Sequence, residues 1–304
     1  MKRDLAAELR RPSALSERAG KLVFSLCAAA SLVTTGGIVA VLLHQTIGFL
    51  QAVPFTRLLT DTHWTPLFAE PRFGLWPLLC GTLLTTGIAM MVAIPCGVLA
   101  AIYLSELAGE RQRRIVKPLV ELLAGIPTLI YGYFALSLVT PALQQIIPGL
   151  SGFNALSAGS VMGLMLLPVV ASLSEDALSA VPTGLREASH ALGVRRTATI
   201  FRVVIPSASP GIAAAVLLAA SRALGATMIV AIAAGQQPQL TLDPRDSVET
   251  MTTYIAQVSL GDIPTGTLEY RTIFAVGLCL FMMTLVLNVI AHRLRRRIHR
   301  QERP

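Results

Sequence analysis

Residues 122–174 contain no Asp, Glu, Lys or Arg over 53 positions, and residues 73–105 contain none over 33. A helix crosses a bilayer with about 20 consecutive apolar residues. A water-soluble helix must show a polar face to solvent, and runs this long leave no such face. They also lack the period-two alternation that marks a membrane β-barrel strand. The chain is therefore all-α and polytopic. Charged residues make up 14% of it, against roughly a quarter in soluble domains. A soluble enzyme, a disordered tail and a secreted disulfide scaffold are excluded. The four cysteines, Cys27, Cys80, Cys96 and Cys279, fall in apolar runs and form no CxxC pair. They carry no redox or metal signal.

Hydropathy places six spans, at about 22–43, 75–104, 119–147, 156–173, 208–234 and 272–291. Lys plus Arg in the seven segments around them number six, two, four, zero, four, two and six. This alternation is the positive-inside pattern. It predicts both termini and the loops at 105–118 and 174–207 on the cytoplasmic side. The net charge of +8 thus orients a membrane protein, and nucleic acid is not an expected partner. The basic N-terminal stretch is expected to rest on anionic lipid, with 5–19 able to form a short amphipathic helix. The first apolar run is longer than a signal-peptide core, so it is expected to stay as an anchor. No phosphate-binding GxxxxGK[ST] loop is present.

The loop at 174–207 is too polar for lipid yet periodic. Leu185, Ala188, Ala191 and Leu192 share one helical face after Pro182-Thr183-Gly184. Gly193 permits the positive φ of a helix-ending turn. A second short helix is expected through Phe201, ended by Pro206. The object is a helix-turn-helix on the inner surface, shaped to enter a groove on a soluble partner.

Here the sequence resembles a known family. Glu187-Ala188-Ser189, then Gly193, then Val203-Val204-Ile205-Pro206 is similar to the EAA loop of bacterial ABC importer permeases, with Ser189, Val203 and Ile205 as mild departures. Gly81-Thr82-Leu83-Leu84-Thr85, Tyr103-Leu104-Ser105-Glu106-Leu107-Ala108, the stretch from Val120-Glu121 to Tyr131-Gly132, and Ser221-Arg222-Ala223-Leu224-Gly225-Ala226-Thr227-Met228 narrow the likeness. Together they resemble permeases of the phosphate-specific ABC importer, most closely its C-type subunit. The likeness is close over 75–235. It implies a type I, MetI-like permease with six transmembrane helices in the prokaryotic inner membrane. It also implies four parts: a cytoplasmic segment 1–21, a first helix with external loop 22–74, a permease core 75–292 and a basic tail 293–304. The implied partners are a second permease subunit, two ATP-binding subunits and an external phosphate-binding protein. ATP and magnesium would sit on those subunits, with no cofactor on this chain and no catalysis by it. Glu187, Ala188, Ser189 and Gly193 would couple to the ATPase. One position departs from the family: where it usually has Glu, this chain has Ala226.

Arg222 and Glu121 are the charges deepest in the predicted spans. Such charges are costly and need a partner or a polar path. The Arg222 guanidinium suits phosphate oxygens and is a candidate lining of the substrate path; a structural ion pair is the alternative. Glu121 is expected to be a structural charge that pairs with a cation or reaches the interface. Gly81, Gly87, Gly97, Gly125, Gly132, Gly211 and Gly225 allow close helix approach, and Pro95, Pro127 and Pro168 can kink spans. The histidines show no metal-ligand spacing. Asp243, Asp246, Glu249, Asp262 and Glu269 outnumber the two arginines of the last outer loop. A solvated loop is the default there, and a docking face for a binding protein the alternative. Three other functions stay open: a permease for molybdate or sulfate, an ion-coupled carrier, and a non-transporting phosphate-sensing scaffold.

Overall fold

The computed structural model describes residues 14–301, with side chains over 20–293. The expected N-terminal surface helix lies mostly outside these residues. The described chain is helical, with one isolated antiparallel bridge between Trp64 and Phe73. Helix α1 (Ala14–Ala52) is the first long apolar helix, and α2 (Phe55–Thr60) turns the chain back. Helix α3 (Trp76–Ile102) returns and runs into a π-helical turn at Tyr103–Leu107. Helices α4 (Glu110–Gly125), α5 (Thr128–Phe134), a second π turn (Ala135–Val139) and α6 (Thr140–Gln144) follow. Then come α7 (Ala155–Ser179), α8 (Thr183–Ala191), α9 (Arg196–Thr199), a third π turn (Ile200–Val204) and α10 (Ile205–Leu224). Helices α11 (Met228–Ala233), α12 (Met251–Leu260) and α13 (Leu268–Gln301) complete the chain.

Among the described residues, five helical stretches are long and apolar enough to cross a membrane, and the number is six if the bent pair Glu110–Gly125 and Thr128–Gln144 counts as one span. That pair corrects the third predicted span. Its first part belongs to α4, which meets the following helix at 91°. The residue before a proline is pushed out of helical space, and Ile126, before Pro127, is extended at φ −72°, ψ 128°. Residues 128–144 form the second arm beyond this corner. The fifth span also differs. Its helix runs unbroken from Arg196 to Leu224 and stops at Gly225, so α11 is a separate piece. Pro206 does not end a helix. The π turn before it shifts the pairing, so that Ile205 N–H donates to the carbonyl of Ile200 five residues back. The same device precedes Pro141, where Thr140 donates from both N–H and Oγ1 to the carbonyl of Ala135.

Helices α3 and α7 form the centre. They approach so closely that a Cβ at Gly163 would lie 2.7 Å from the Ala89 carbonyl oxygen, and one at Gly97 would lie 2.7 Å from Val170 Cβ. Gly81, Gly132 and Gly211 are similarly crowded, whereas Gly87 and Gly125 face open space. The main core joins Ala89, Met162, Leu166, Ile229 and Val230 across α3, α7 and α11. A second cluster, at the end that carries α2 and α12, gathers Phe49, Trp64, Phe73, Met251, Tyr254 and Val276. A third, at the opposite end beside α8, gathers Ile102, Leu178, Val181, Ile200 and Val204. Leu22, Phe24, Leu32 and Val33 on α1 are exposed, as a lipid-facing helix requires.

Candidate functional site

The end of the bundle that carries α8 is built around two carboxylates that the apolar runs leave at their edges. Glu106 sits in the π turn that ends α3 and is mostly buried. Arg186 of α8 reaches it at 2.9 Å and also donates to the carbonyls of Leu178 at 2.8 Å and Val181 at 2.7 Å. One guanidinium thus closes the end of α7 and ties α8 to α3. Arg196, at the start of α9, donates to the Glu106 carbonyl. On the back of α8, Ser189 is buried and shares a 2.9 Å hydrogen bond with Thr199. The hydroxyl that departs from the EAA pattern therefore has a local role in holding α8 against α9.

The front of α8 is free. Leu185 is 45% exposed and Leu192 is 83% exposed, and Glu187, Ala188 and Ala191 are exposed beside them. The predicted apolar face exists, and it turns away from the chain's own bundle. Gly193 closes the helix at φ +75°, a conformation that side chains with a Cβ rarely adopt.

Behind this element lies a cluster the sequence did not disclose. Glu175 is 1% exposed on α7. Arg113 of α4 pairs with its Oε1, and Lys117 Nζ stands 3.0 Å from Oε2 without hydrogen-bond alignment. Both cations are partly exposed, and α4 buries none of its own side chains. The pair of cations on one carboxylate ties α4 to α7, and Tyr131 Oη adds a 2.7 Å bond to the Leu123 carbonyl of α4. Glu175 lies just past the charge-free run, which is why sequence reasoning assigned it to the loop.

The two predicted membrane charges lie apart from one another. Arg222 occupies the last turn of α10; it is exposed and makes no hydrogen bond or ion pair among the described residues. Glu121 is exposed on α4, beside Lys117 in a cleft with Glu110, Arg113 and Arg114, and has no ion-pair partner among the described residues. Ala226 packs against the main core, and its carbonyl accepts a 2.8 Å bond from Thr252.

At the opposite end, before α12, the acidic residues behave differently from one another. Asp243 is held down to about 2 by the side chain and N–H of Arg245. Asp246 accepts from Thr241 at 2.7 Å. Glu249 is not solvated: it is 2% exposed, and burial pushes its carboxyl up to about 7. No group of three or more His, Cys, Asp or Glu among the described residues is arranged to hold a metal.

Comparison with known proteins fits this geometry. Residues 93–303 match the family described as binding-protein-dependent transport system inner membrane component. The chain is 31% identical to the "Probable ABC transporter permease protein YqgH" of Bacillus subtilis, over 90% of this chain and 89% of that one. It is 33% identical to the "Phosphate transport system permease protein PstC" of Mesorhizobium japonicum, over 88% and 86%. Among solved structures, a bacterial alginate ABC transporter in complex with an alginate-bound periplasmic protein superposes at TM-score 0.65, with 19% identity, over 92% of this chain and 96% of that one. An inward-facing methionine ABC transporter superposes at 0.55, with 22% identity, over 74% and 94%. These two likenesses bear on fold. The family match favours the ATP-coupled permease over an ion-coupled carrier. The chain belongs to the binding-protein-dependent transport system inner membrane component family and is a multi-pass permease of an ABC importer in the inner membrane.

Proposed function

We propose that the cargo is inorganic phosphate, delivered by an external binding protein and passed through a pair of permease subunits driven by two ATP-binding subunits. The relatives named for phosphate transport, at 30–33% identity, support the cargo. One observation carries the coupling: α8 shows an exposed apolar face while Arg186 and Ser189 lock its back to α3 and α9. An apolar surface of this kind on a cytoplasmic helix is a docking face. ATP and magnesium belong to the docked subunits, and this chain supplies the lever.

In this mechanism, closure of the ATPase dimer displaces α8, with Glu187, Ala188, Ser189 and Gly193 at or behind the contact. The displacement passes to α3 through Arg186–Glu106. It passes to the fifth span through α9, the start of the continuous helix Arg196–Leu224, whose 29 residues make a rod of about 43 Å. Arg222 rides in the last turn of that rod. An unpaired guanidinium there offers five N–H donors to a passing oxyanion. Glu121 takes no part in the path; its carboxylate would repel the cargo, and it serves as a surface charge of α4.

The test is reconstitution with candidate ATPase and binding-protein subunits, followed by uptake of radiolabelled phosphate. Glu187→Lys should abolish ATP-driven uptake while leaving the protein in the membrane. Arg222→Ala should retain assembly and ATPase binding but lose uptake. Normal import by Arg222→Ala removes it from the path. Ala226, where the family usually has Glu, leaves Arg222 without that carboxylate and makes a second oxyanion a real alternative. Uptake that is blocked by molybdate or sulfate more strongly than by unlabelled phosphate would transfer the assignment to those ions.

A further inference from the structure

The end that carries α2 and α12 contains a cavity of about 390 Å3. Its wall is partly apolar, from Trp64 and Phe68, and partly amide, from Gln236 and Gln257. Tyr254 and Glu249 complete it. Glu249 is 2% exposed, and neither of its carboxylate oxygens accepts a hydrogen bond among the described residues. No Lys, Arg or His lies in the wall.

The backbone gives this carboxyl little freedom to escape to water. Val248 N–H donates to the Ala234 carbonyl at 3.0 Å, and Met251 N–H donates to Thr82 Oγ1 at 3.0 Å. The Glu249 carbonyl presses on α3 at Gly81, where a Cβ would stand 2.2 Å away. Five residues on, Tyr254 is fixed by a 2.6 Å bond to Thr272 and an edge-on contact with Trp64. A buried carboxyl held in place without a partner is costly. Sites that leave one usually have a use for it.

We propose that this cavity is a binding site for one organic cationic group, an ammonium or a guanidinium, with Glu249 as its counter-charge. The amide oxygens of Gln236 and Gln257 accept the remaining N–H donors, and Trp64 and Phe68 flank the alkyl stem. A lone carboxylate among neutral amides is a poor set for a divalent metal, which takes several hard oxygen ligands. The wall carries no cation to hold an anion, so this is not a second cargo site. The inference does not depend on phosphate being the cargo. A free amine and a Lys or Arg side chain of a docked protein share the required chemistry.

The experiment uses the full chain in a neutral detergent and follows tryptophan emission, since Trp64 lines the cavity and Trp76 does not. Ethylammonium and ethylguanidinium chloride are titrated in one arm, and capped Gly-Lys-Gly and Gly-Arg-Gly peptides in the other. Ethylurea serves as the neutral isostere, and sodium chloride as the ionic-strength control. The expected result is a saturable change with the cations alone, weakened roughly ten-fold or more in Glu249→Gln. Saturation by the small cations as tight as by the peptides assigns the site to a free amine; tighter binding of the peptides assigns it to a protein side chain. A linear response, equal saturation by ethylurea or sodium, or an unchanged titration in Glu249→Gln overturns the proposal. The ethylurea comparison decides the matter even if Glu249→Gln does not fold.

Discussion

Removing Glu175 and removing its two cations should have unequal costs. Glu175 is 1% exposed, whereas Arg113 and Lys117 are 46% and 32% exposed. In Glu175→Gln the cations lose their partner but can swing into water. The loss is then that of a half-solvated ion pair, about 1 kcal/mol. In Arg113→Ala with Lys117→Ala the carboxylate stays buried and bare, and breaking a buried pair from that side costs about 3–5 kcal/mol. The difference, at least about 2 kcal/mol, is roughly thirty-fold in the unfolding equilibrium. Restoring neutrality with Glu175→Gln in the doubly cation-free chain should recover most of the loss. Equilibrium unfolding in mixed micelles, followed by tryptophan emission, reads all three variants. Equal destabilisation by the carboxylate and cation variants, or no recovery in the combined chain, would refute Glu175 as a buried counter-charge that fastens α4.

Two further outcomes follow from packing and burial. Gly163→Val should lower stability by about 1–3 kcal/mol through overpacking, because its Cβ would meet the Ala89 carbonyl at 2.7 Å; Gly87→Val, facing open space, is the control in the same unfolding assay. Burial raises the Glu249 carboxyl from 4.5 to about 7, so between those values the folded chain holds a proton that the unfolded chain has released. Its contribution to stability is full below about 4.5 and declines as pH rises to about 7. Thermal midpoints of wild type should fall across that window relative to Glu249→Gln, and parallel pH profiles would remove Glu249 as the cause.

The number of crossings was legible because charge between apolar runs is set by the bilayer, whatever the packing inside. The 91° bend after α4 was not, because the charge-free run begins before Pro127 and hides the corner. Hydropathy measures what a segment avoids, and a surface helix and a span avoid water alike at their apolar residues. Pro206 misled for a different reason: its missing N–H ends a helix only if the i→i−4 pattern is kept, and a π turn abandons that pattern. The periodicity of α8 identified its apolar face correctly. It left open whether that face meets this chain or another molecule, because both give the same spacing. Glu175 was unreadable because its cations lie about sixty residues upstream, and only the fold brings them together.

The proposed mechanism requires the front of α8 to be covered by an ATP-hydrolysing subunit. A single cysteine at Leu192, in a chain whose four native cysteines are replaced, tests it directly through modification by a membrane-impermeant maleimide. The expected result is labelling in inside-out vesicles, strong suppression when the ATPase subunit is bound, and a change in that protection on adding ATP. Labelling from the outer side, or equal labelling with and without the ATPase, would contradict it.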